Sequence, residues 1–273
     1  MKTLIIGANG NLGKEVVKQL SVKTDVKAGV RDAKNFLGQE NIEDVIFDFD
    51  KPETFAKATE NVDKVFVQAP PLDAEAYERL LPFINYLDEK NIKRVAFNSA
   101  WGVDHNEEAP LRKIECEFMN KNFDYTITRP NFFIENFTSG FAAAPLQHDS
   151  VIVANAGDAK LSFVSTTDIA EIVAKSLTND EHIKKEYNLS GKEALSHQEV
   201  ADLFTNKLGK KINYISLSSE EMKAGALENG LPESVADYLV MLYDIAGQGH
   251  MQHISSDVQH VLGRAPKTFN DII

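Results

Sequence analysis

The sequence predicts an α/β fold, in which a doubly wound parallel sheet is followed by a smaller α+β lobe. Short β-branched or aliphatic runs alternate with amphipathic stretches over residues 1–130, and this alternation is typical of βαβ units around a parallel sheet. A glycine-rich turn follows the first run, where the first strand of such a unit would enter its helix. Beyond residue 130 the alternation gives way to turn-rich and helical sequence, which indicates a second, smaller lobe.

Six strands and four helices are predicted in the first part of the chain. The strands cover residues 3–6, 26–30, 44–47, 64–68, 94–98 and 125–128. The helices cover residues 11–20, 52–60, 74–90 and 109–120. The third helix carries an apolar face suited to packing against a sheet. The members of this face are Tyr77, Leu80, Leu81, Ile84 and Leu87.

The C-terminal part is predicted to contain short strands and several helices. The strands cover residues 151–154 and 161–164, and the first helices cover residues 167–177 and 197–208. Ser196 precedes the second of these helices as a cap, Glu199 completes a capping box, and Gly209 ends the helix. Residues 218–273 indicate three or four helices, which are broken at residues 230–232, 247–249 and 263–266.

Composition and charge exclude several classes of protein. Apolar residues make up 43% and charged residues 26% of the chain, which are ordinary globular values. The 41 acidic and 29 basic residues give a formal net charge of -12, which repels nucleic acid and anionic lipid. The single cysteine, Cys116, cannot form an internal disulfide, and the sequence shows neither a leader-like segment nor a run of ~20 apolar residues. We therefore expect a cytoplasmic protein without a membrane or a direct nucleic-acid partner.

The glycine-rich turn has the spacing Gly7-x-x-Gly10-x-x-Gly13 between the first strand and the first helix. In a Rossmann fold the first glycine permits the tight turn, the second lets the backbone approach a pyrophosphate, and the third lets the helix pack closely on the strand. The free N–H groups at the helix start then favour the anion. We therefore assign residues 1–130 to an NAD(P)-binding Rossmann domain, to which strands within 151–190 partly return. Residues 131–273 form the smaller C-terminal lobe for a substrate or a partner.

The end of the second predicted strand indicates which dinucleotide is bound. In NAD-selecting folds an acidic side chain about 20 residues beyond the loop accepts both ribose hydroxyls. Arg31 occupies that place here, and its cationic donors suit a 2′-phosphate, whereas the neighbouring Asp32 leaves NAD(H) as the alternative. We therefore favour NADP(H) over NAD(H) as the cofactor.

Other candidates for cofactor binding follow the ends of the predicted strands. Asp48 and Phe49 are expected near the adenine, although a helix cap before Pro52 explains Asp48 nearly as well. The backbone after the fourth strand is expected to line the nicotinamide side. The full set of candidates is Gly7, Asn9, Gly10, Asn11, Leu12, Gly13, Arg31, Asp48, Phe49, Gln68, Ala69, Pro70 and Ser99.

Taken with several later motifs, these residues resemble the NmrA-like branch of the atypical short-chain dehydrogenase/reductase (SDR) superfamily over nearly the whole chain. The motifs are the glycine loop, Val30-Arg31-Asp32, Asn98-Ser99-Ala100, residues 125–130, 132–133, 135–136, 162–164, 167–170 and 187–191, and Leu262-Gly263-Arg264-Ala265-Pro266. The resemblance implies a Rossmann domain with a small substrate lobe and bound NADP(H). It also implies one of two functions. Some relatives reduce quinones, azo dyes or similar acceptors, and others are redox sensors that regulate partner proteins without turnover.

The proton donor of the best-known reductases in this superfamily is a Tyr-x-x-x-Lys pair on the helix after the fifth strand. The predicted helix over residues 109–120 contains no tyrosine. The only matching pair, Tyr86 and Lys90, lies on the preceding helix, and we interpret it as a false match.

Two residues are candidates for catalysis. Ser99 occupies the position of the superfamily's substrate-orienting serine, with a serine that merely satisfies a turn as the alternative. The resemblance implies a lysine or histidine four residues before the helix glutamate, but Leu111 stands at that spacing before Glu115. Lys113 is nearby and about 200° out of phase around a helix, so its catalytic role is the weaker assignment.

Four residues are candidates for an acceptor pocket, namely Trp101, Phe132, Phe133 and Asn136. The aromatic residues could form an apolar wall for a flat acceptor, and a place in the core is their alternative role. His105 is a candidate proton donor or a solvated loop residue. The cysteine, methionine and histidine residues show no metal-ligand spacing, and no nucleophile-elbow motif occurs.

The missing Tyr-Lys acid favours quinone-like acceptors over carbonyl substrates. A quinone accepts hydride readily and can take its proton from water, so orientation over Ser99 and the aromatic residues is sufficient. We therefore predict an NADP(H)-binding oxidoreductase that reduces a small-molecule, quinone-like acceptor by direct hydride transfer. A non-catalytic NADP-binding sensor with a protein partner is the alternative, and a nucleotide-sugar epimerase ranks lowest. A monomer and a homodimer both remain open.

Overall fold

The structure is a computed structural model that describes residues 1–140 and 142–273. The chain folds into two compact units. The first unit comprises Met1–Pro71, Glu75–Pro130 and Thr166–Asn188. The second unit comprises Leu72–Ala74, Asn131–Ser165 and Leu189–Ile273.

The strands and helices follow one another along the chain as two numbered series. The strands are β1 Lys2–Ile6, β2 Asp25–Val30, β3 Ile42–Ile46, β4 Lys64–Gln68, β5 Arg94–Asn98, β6 Asp124–Pro130, β7 Val151–Ala154, β8 Lys160–Leu161, β9 Lys185–Leu189, β10 Leu195–Ser196 and β11 Asn213–Ser216. The helices are α1 Asn11–Ser21, α2 Phe55–Ala58, α3 Ala76–Glu89, α4 Pro110–Asn120, α5 Ala143–Asp149, α6 Thr166–Thr178, α7 His197–Leu208, α8 Ser219–Glu228, α9 Glu233–Gly247, α10 Asp257–Leu262 and α11 Phe269–Ile272.

The first unit is built on a seven-stranded sheet with the order β3-β2-β1-β4-β5-β6-β9. The pairs from β3 to β6 are parallel. The order reverses between β1 and β4, which is the switch point at which ligands bind in doubly wound sheets. The α/β Rossmann fold predicted from the sequence is thereby confirmed.

The two faces of the sheet are covered by different helices. Alternate residues of the strands, such as Leu4, Val65 and Phe97, pack with the buried faces of α3 and α4 in one apolar core. Their neighbours in sequence, such as Ile5 and Phe66, are also fully buried, so the opposite face is covered as well. Helices α1 and α6 pack against one another in the same unit.

Two predicted elements differ from the structure, and some observed strands were not predicted. The predicted helix over 52–60 is wrong as a continuous helix, because a 3-10 turn at Pro52–Thr54 precedes the single turn of α2. There the Thr54 hydroxyl donates to the carbonyl of Lys51 at 2.7 Å, a local bond that competes with regular helix. The predicted strand over 161–164 shortens to β8, because the Ser162 and Val164 amides donate to Met251 and Phe132. Strands β9, β10 and β11 have no counterpart among the individually predicted strands.

The second unit contains two small sheets and the C-terminal helices. Strands β7 and β11 pair in parallel, and β8 and β10 pair antiparallel. The predicted capping box at Ser196 and Glu199 is confirmed at the start of α7, and Gly209 ends this helix with φ +63°. In the parts of the chain that the structure describes, no helix combines the length and hydropathy needed to cross a bilayer.

Candidate active site

The glycine loop joins β1 to α1 at the switch point of the sheet, and two of its glycines are required by the fold. Gly7 has φ +69° and donates its amide to the Gly29 carbonyl of β2 at 3.0 Å. A Cβ on Gly13 would lie 2.0 Å from the Gly7 carbonyl oxygen, so a larger residue there must move the backbone. Both positions therefore fit the roles predicted for them.

Gly10 is the glycine that the fold itself does not require. It is exposed, its backbone has φ -78° and ψ 169°, and any residue can adopt that conformation. An added Cβ would meet one atom, the Gly7 carbonyl oxygen at 3.3 Å. The space above Gly10 is thus open to a ligand that approaches the bare backbone.

The start of α1 lacks the features that normally satisfy a helix N-terminus. Its N-cap residue is Gly10, no side chain among the described residues bonds to the first turn, and that turn contains no acidic residue. Asn9 is exposed and Asn11 is half-buried beside it, whereas Leu12 packs in the core. The unpaired N–H groups and the positive end of the helix dipole are therefore available to an anion.

The end of β2 presents a cation. Arg31 is exposed, and its guanidinium has no hydrogen bond or ion pair with residues 1–140 or 142–273. Asp32 instead caps the short turn that follows, by accepting from the Lys34 amide at 3.0 Å, and this bond lowers the pKa of its carboxyl group. The carboxylate is used locally, while the arginine is free for a ligand.

The two candidate residues after β3 use their side chains within the fold. The carboxylate of Asp48 accepts from the Asp50 amide at 3.1 Å and pairs with Lys51 at 3.3 Å, so its side chain serves a turn. The Phe49 ring packs edge-on against Phe47 in the core. Only the backbone of these two residues could therefore face an adenine.

The Gln68 side chain braces the glycine loop. Its Nε2 atom donates to the carbonyls of Ile6 and Gly7 at 3.1 and 3.3 Å. Ala69 and Pro70 follow it as half-buried residues at the end of β4. Sequence reasoning assigned Gln68 to cofactor binding through its backbone, whereas its side chain acts on the loop.

Ser99 directly follows β5 and carries an unsatisfied polar atom. Its amide donates to the Thr128 carbonyl at 2.8 Å, which fixes the backbone against β6. The side chain is 5% exposed and its Oγ atom has no hydrogen-bond partner within the described chain. A buried hydroxyl without a partner costs free energy, and this cost is relieved if a ligand supplies the partner.

The other proposed catalytic group, Lys113, forms an ion pair on the surface. Its Nζ atom pairs with Glu108 at 2.8 Å on the surface, and that bond raises the pKa of the lysine. The Tyr86 and Lys90 pair lies on α3, where the Tyr86 ring packs against Phe55. Helix α4 contains no tyrosine.

Three of the four proposed pocket residues belong to the second unit. Phe132 is half-buried and its ring lies 5.3 Å from that of Tyr243. Phe133 forms a single β-bridge with Val164, and the Asn136 amide donates to the Phe133 carbonyl at 3.2 Å. Trp101 belongs to the first unit, is half-buried, and donates its amide to the Pro130 carbonyl at 3.0 Å.

A buried ion-pair network between α4 and β6 was missed by sequence reasoning. Glu115 on α4 is fully buried and accepts two hydrogen bonds from Arg129 on β6, at 2.8 and 2.7 Å. Burial alone would lower the pKa of Arg129, but the bonds to Glu115 raise it above its ordinary value. The signal in the sequence is a glutamate in phase with the apolar stripe of Leu111, Ile114 and Phe118.

The chain is similar to known proteins over its full length. A model of the NmrA-like family matches residues 1–272. The prestalk A differentiation protein A of Dictyostelium discoideum is 29% identical over 98% of this chain and 90% of its own length. The NAD(P)H azoreductase of Xenophilus azovorans is 27% identical over 97% of this chain and 94% of its own.

Solved structures share the fold at low sequence identity. The NADPH-dependent quinone oxidoreductase of Escherichia coli in complex with NADPH superposes with a TM-score of 0.84 at 23% identity. The superposition covers 99% of this chain and 98% of the other. Within the residues that the structure describes, no three histidine, cysteine or acidic residues are grouped as metal ligands would be.

Proposed function

Because the chain belongs to the NmrA-like family, we propose that it is an NADP(H)-dependent reductase that acts on quinone-like acceptors. The observation that carries the proposal is the glycine loop. Gly10 is exposed, ordinary in conformation and only weakly constrained by the fold, and it caps a helix whose first turn has no side-chain cap. A pyrophosphate that rests on these N–H groups explains both features.

The residues around the switch point fit a phosphorylated dinucleotide. The amides of Asn11 and Leu12 at the start of α1 would bind the pyrophosphate beside Gly10, whose own amide donates to the Gly7 carbonyl at 2.9 Å, and the unpaired Arg31 would bind the 2′-phosphate. A charged hydrogen bond to a phosphate contributes about 1.5–3 kcal/mol. When bound, reduced NADP(H) supplies a hydride from its nicotinamide ring.

The side chains after β5 limit the kind of acceptor. Helix α4 offers no tyrosine, and Lys113 is held by Glu108 on the surface, so the superfamily's Tyr-Lys acid for carbonyl reduction is not present on this helix. A quinone, or a similar conjugated acceptor, needs orientation more than acid catalysis. The unpaired Ser99 hydroxyl supports this assignment because it can donate to an acceptor oxygen or nitrogen. Phe132, Phe133 and Asn136 stay predictions for the acceptor pocket.

Two comparisons support the same assignment. The azoreductase relative is named for NAD(P)H and an azo acceptor, and the Escherichia coli structure is named for NADPH and a quinone. Both kinds of acceptor are conjugated and accept hydride without a carbonyl-activating acid. The acceptor class of this chain is therefore proposed as quinone-like.

Calorimetric titration with NADPH and NADH tests the cofactor assignment. We expect NADPH to bind more tightly, and Arg31→Ala to weaken NADPH by about 10-fold to 100-fold while NADH changes little. Lys34→Ala is the matched control, since Lys34 is a neighbouring cation that is already paired with Asp32. An unchanged preference for NADPH in Arg31→Ala would refute the role of Arg31.

Steady-state oxidation of NADPH with a panel of quinones and azo dyes tests the reaction. We expect turnover above the protein-free rate with at least one acceptor, and a lower kcat in Ser99→Ala. Rates equal to the blank for every acceptor, despite tight NADPH binding, would overturn the reductase.

Two observations favour a second candidate, a sensor that binds NADP(H) without turnover. The helix that carries the superfamily's acid has neither its tyrosine nor a free lysine. The relative from Dictyostelium discoideum is named for differentiation rather than for a reaction. Tight binding of NADP(H) combined with no turnover would select this candidate.

A further inference from the structure

The loop between β5 and α4 carries Ser99 and Trp101, yet its backbone is tied to the sheet only at its beginning. The amides of Ser99 and Trp101 donate to the β6 carbonyls of Thr128 and Pro130, at 2.8 and 3.0 Å. The chain then turns at Gly102, with φ +77°, into the 3-10 turn Val103–His105. The backbone bonds of residues 103–108 stay within the loop, and the Ala109 carbonyl accepts from the Lys113 amide of α4 at 3.0 Å.

A side-chain contact supplies the missing tie. Asp104, on the 3-10 turn, lies 3.4 Å from Nη1 of Arg129 on β6. Asp104 is the residue through which this turn reaches the sheet within the described part of the chain. The contact therefore ties the 3-10 turn of this loop to the sheet, while Glu107 and Glu108 at the end of the loop pair with Arg112 and Lys113 of α4, at 3.1 and 2.8 Å.

Arg129 is itself held in one orientation. Its Nε and Nη2 atoms donate to the two oxygens of Glu115, at 2.8 and 2.7 Å. Both side chains are almost fully buried, at 4% and 0% exposure. The guanidinium is planar, so a two-point bond to Glu115 fixes the direction in which Nη1 faces Asp104.

We propose that Arg129 is a positioning residue, which acts through Asp104 to hold the loop after β5 in the conformation that presents Ser99 and Trp101. The ordering of the loop follows from the geometry alone. Its kinetic consequence rests on the proposed reductase function, since a loosened loop would misplace Ser99 relative to an acceptor.

A purely structural role of Arg129 predicts a different order of effects. Glu186 on β9 is the third carboxylate on this guanidinium, and its bond of 2.6 Å is shorter than the Asp104 contact of 3.4 Å. If Arg129 only stabilised the fold, the loss of Glu186 would perturb the protein more than the loss of Asp104. If Arg129 positions the loop, the loss of Asp104 disturbs the order of the loop more than the loss of Glu186 does, because Glu186 lies outside the loop.

Trp101 is the only tryptophan of the chain and lies in the loop itself, so it reports loop order without any assay of activity. Time-resolved fluorescence anisotropy would be compared for the full chain, Asp104→Asn and Glu186→Gln. Each variant removes one carboxylate charge from Arg129 and keeps the side-chain shape. We expect the fast, nanosecond part of the decay to grow in Asp104→Asn and to stay unchanged in Glu186→Gln. Equal decays in the two variants would overturn the proposal.

The kinetic arm uses the same pair with a quinone as acceptor. We expect kcat to fall by about 10-fold to 100-fold in Asp104→Asn, with the NADPH dissociation constant unchanged, and Asp104→Glu to recover part of the loss. We expect Glu186→Gln to keep kcat and to lower the unfolding midpoint in urea instead. A kcat loss in Glu186→Gln as large as in Asp104→Asn would contradict positioning. If the wild-type protein shows no turnover while the anisotropy order holds, the reductase fails and the positioning of the loop stands.

Discussion

The three glycines of the β1–α1 loop belong to one sequence motif, but the structural reason for a glycine differs at each position. Gly7 needs a positive φ, Gly13 needs room against the backbone, and Gly10 needs neither. The sequence pattern predicts all three together. Only the backbone geometry separates the glycines that the fold requires from the one that a ligand would require.

This separation gives a prediction at the residue level. Gly13→Ala should lower the free energy of unfolding by about 3 kcal/mol or more, because its Cβ would lie 2.0 Å from a backbone oxygen. Gly10→Ala should change it by about 1 kcal/mol or less and should weaken NADPH binding instead. Urea unfolding and calorimetry on both variants check the two expectations. Equal losses of stability would contradict the distinct roles.

The role of His197 is seen in the structure and not in the sequence. It is fully buried, both ring nitrogens lack partners within the described residues, and its ring lies 5.5 Å from that of Tyr214 and 5.8 Å from that of Phe163. Burial lowers the pKa of this imidazole to about 4. The native state therefore holds it neutral at a pH where the unfolded chain takes up a proton.

The low pKa of the buried His197 makes the stability of the folded chain depend on pH. Between pH 6.5 and about 4 the unfolded state binds the proton and the native state does not, so stability falls as the pH falls through this window. His197→Phe should remove that slope and should exceed the wild type by about 2 kcal/mol at pH 5, with a smaller gain at pH 8. Urea unfolding across this range is the measurement.

The control for this prediction is His260→Phe, because His260 is exposed on α10. This variant should keep the wild-type slope of stability against pH. If His197→Phe also kept that slope, the acid sensitivity would arise elsewhere in the chain.

At the level of elements, the sequence predicts what local patterns encode. It predicts strands β1, β2, β4, β5 and β6 and helices α1, α3, α4 and α7 to within a few residues, because apolar periodicity marks them. It misses strand β9 because the residues of this strand run from exposed to buried without alternation. It misses the Arg129 network because the members are far apart in sequence, and only the fold brings them together.

Two of the capping boxes, those at α7 and α8, can be compared with one another. Ser196 and Ser218 cap α7 and α8 with the same geometry, each accepting from the amide three residues on at 3.2 Å. Ser196 is buried and Ser218 is exposed, so water replaces the lost bond more easily at Ser218. We expect Ser196→Ala to cost about 1–2 kcal/mol of unfolding free energy and Ser218→Ala less. A larger loss for Ser218→Ala would contradict this order.

For the whole molecule, the net charge of -12 opposes any anionic ligand, so a dinucleotide must be bound by local groups. The free α1 terminus and Arg31 are such groups, and both belong to the first unit. Their favourable interaction is short-ranged, while the repulsion from the rest of the chain is screened by salt. Because this site exists only in the folded chain, binding of the dinucleotide should raise the free energy of unfolding.

Thermal unfolding gives the corresponding prediction. At a concentration about 100 times the dissociation constant, a ligand that binds only the native state adds about 2.7 kcal/mol. For a chain of this size we expect NADPH to raise Tm by about 5–10 °C. NADH at the same concentration should raise it less, since it has no 2′-phosphate for Arg31. Gly10→Val should unfold near the wild-type Tm without ligand and gain little from NADPH, because its side chain occupies the path of the pyrophosphate. A full NADPH shift in Gly10→Val would mean that the dinucleotide does not rest on the β1–α1 loop.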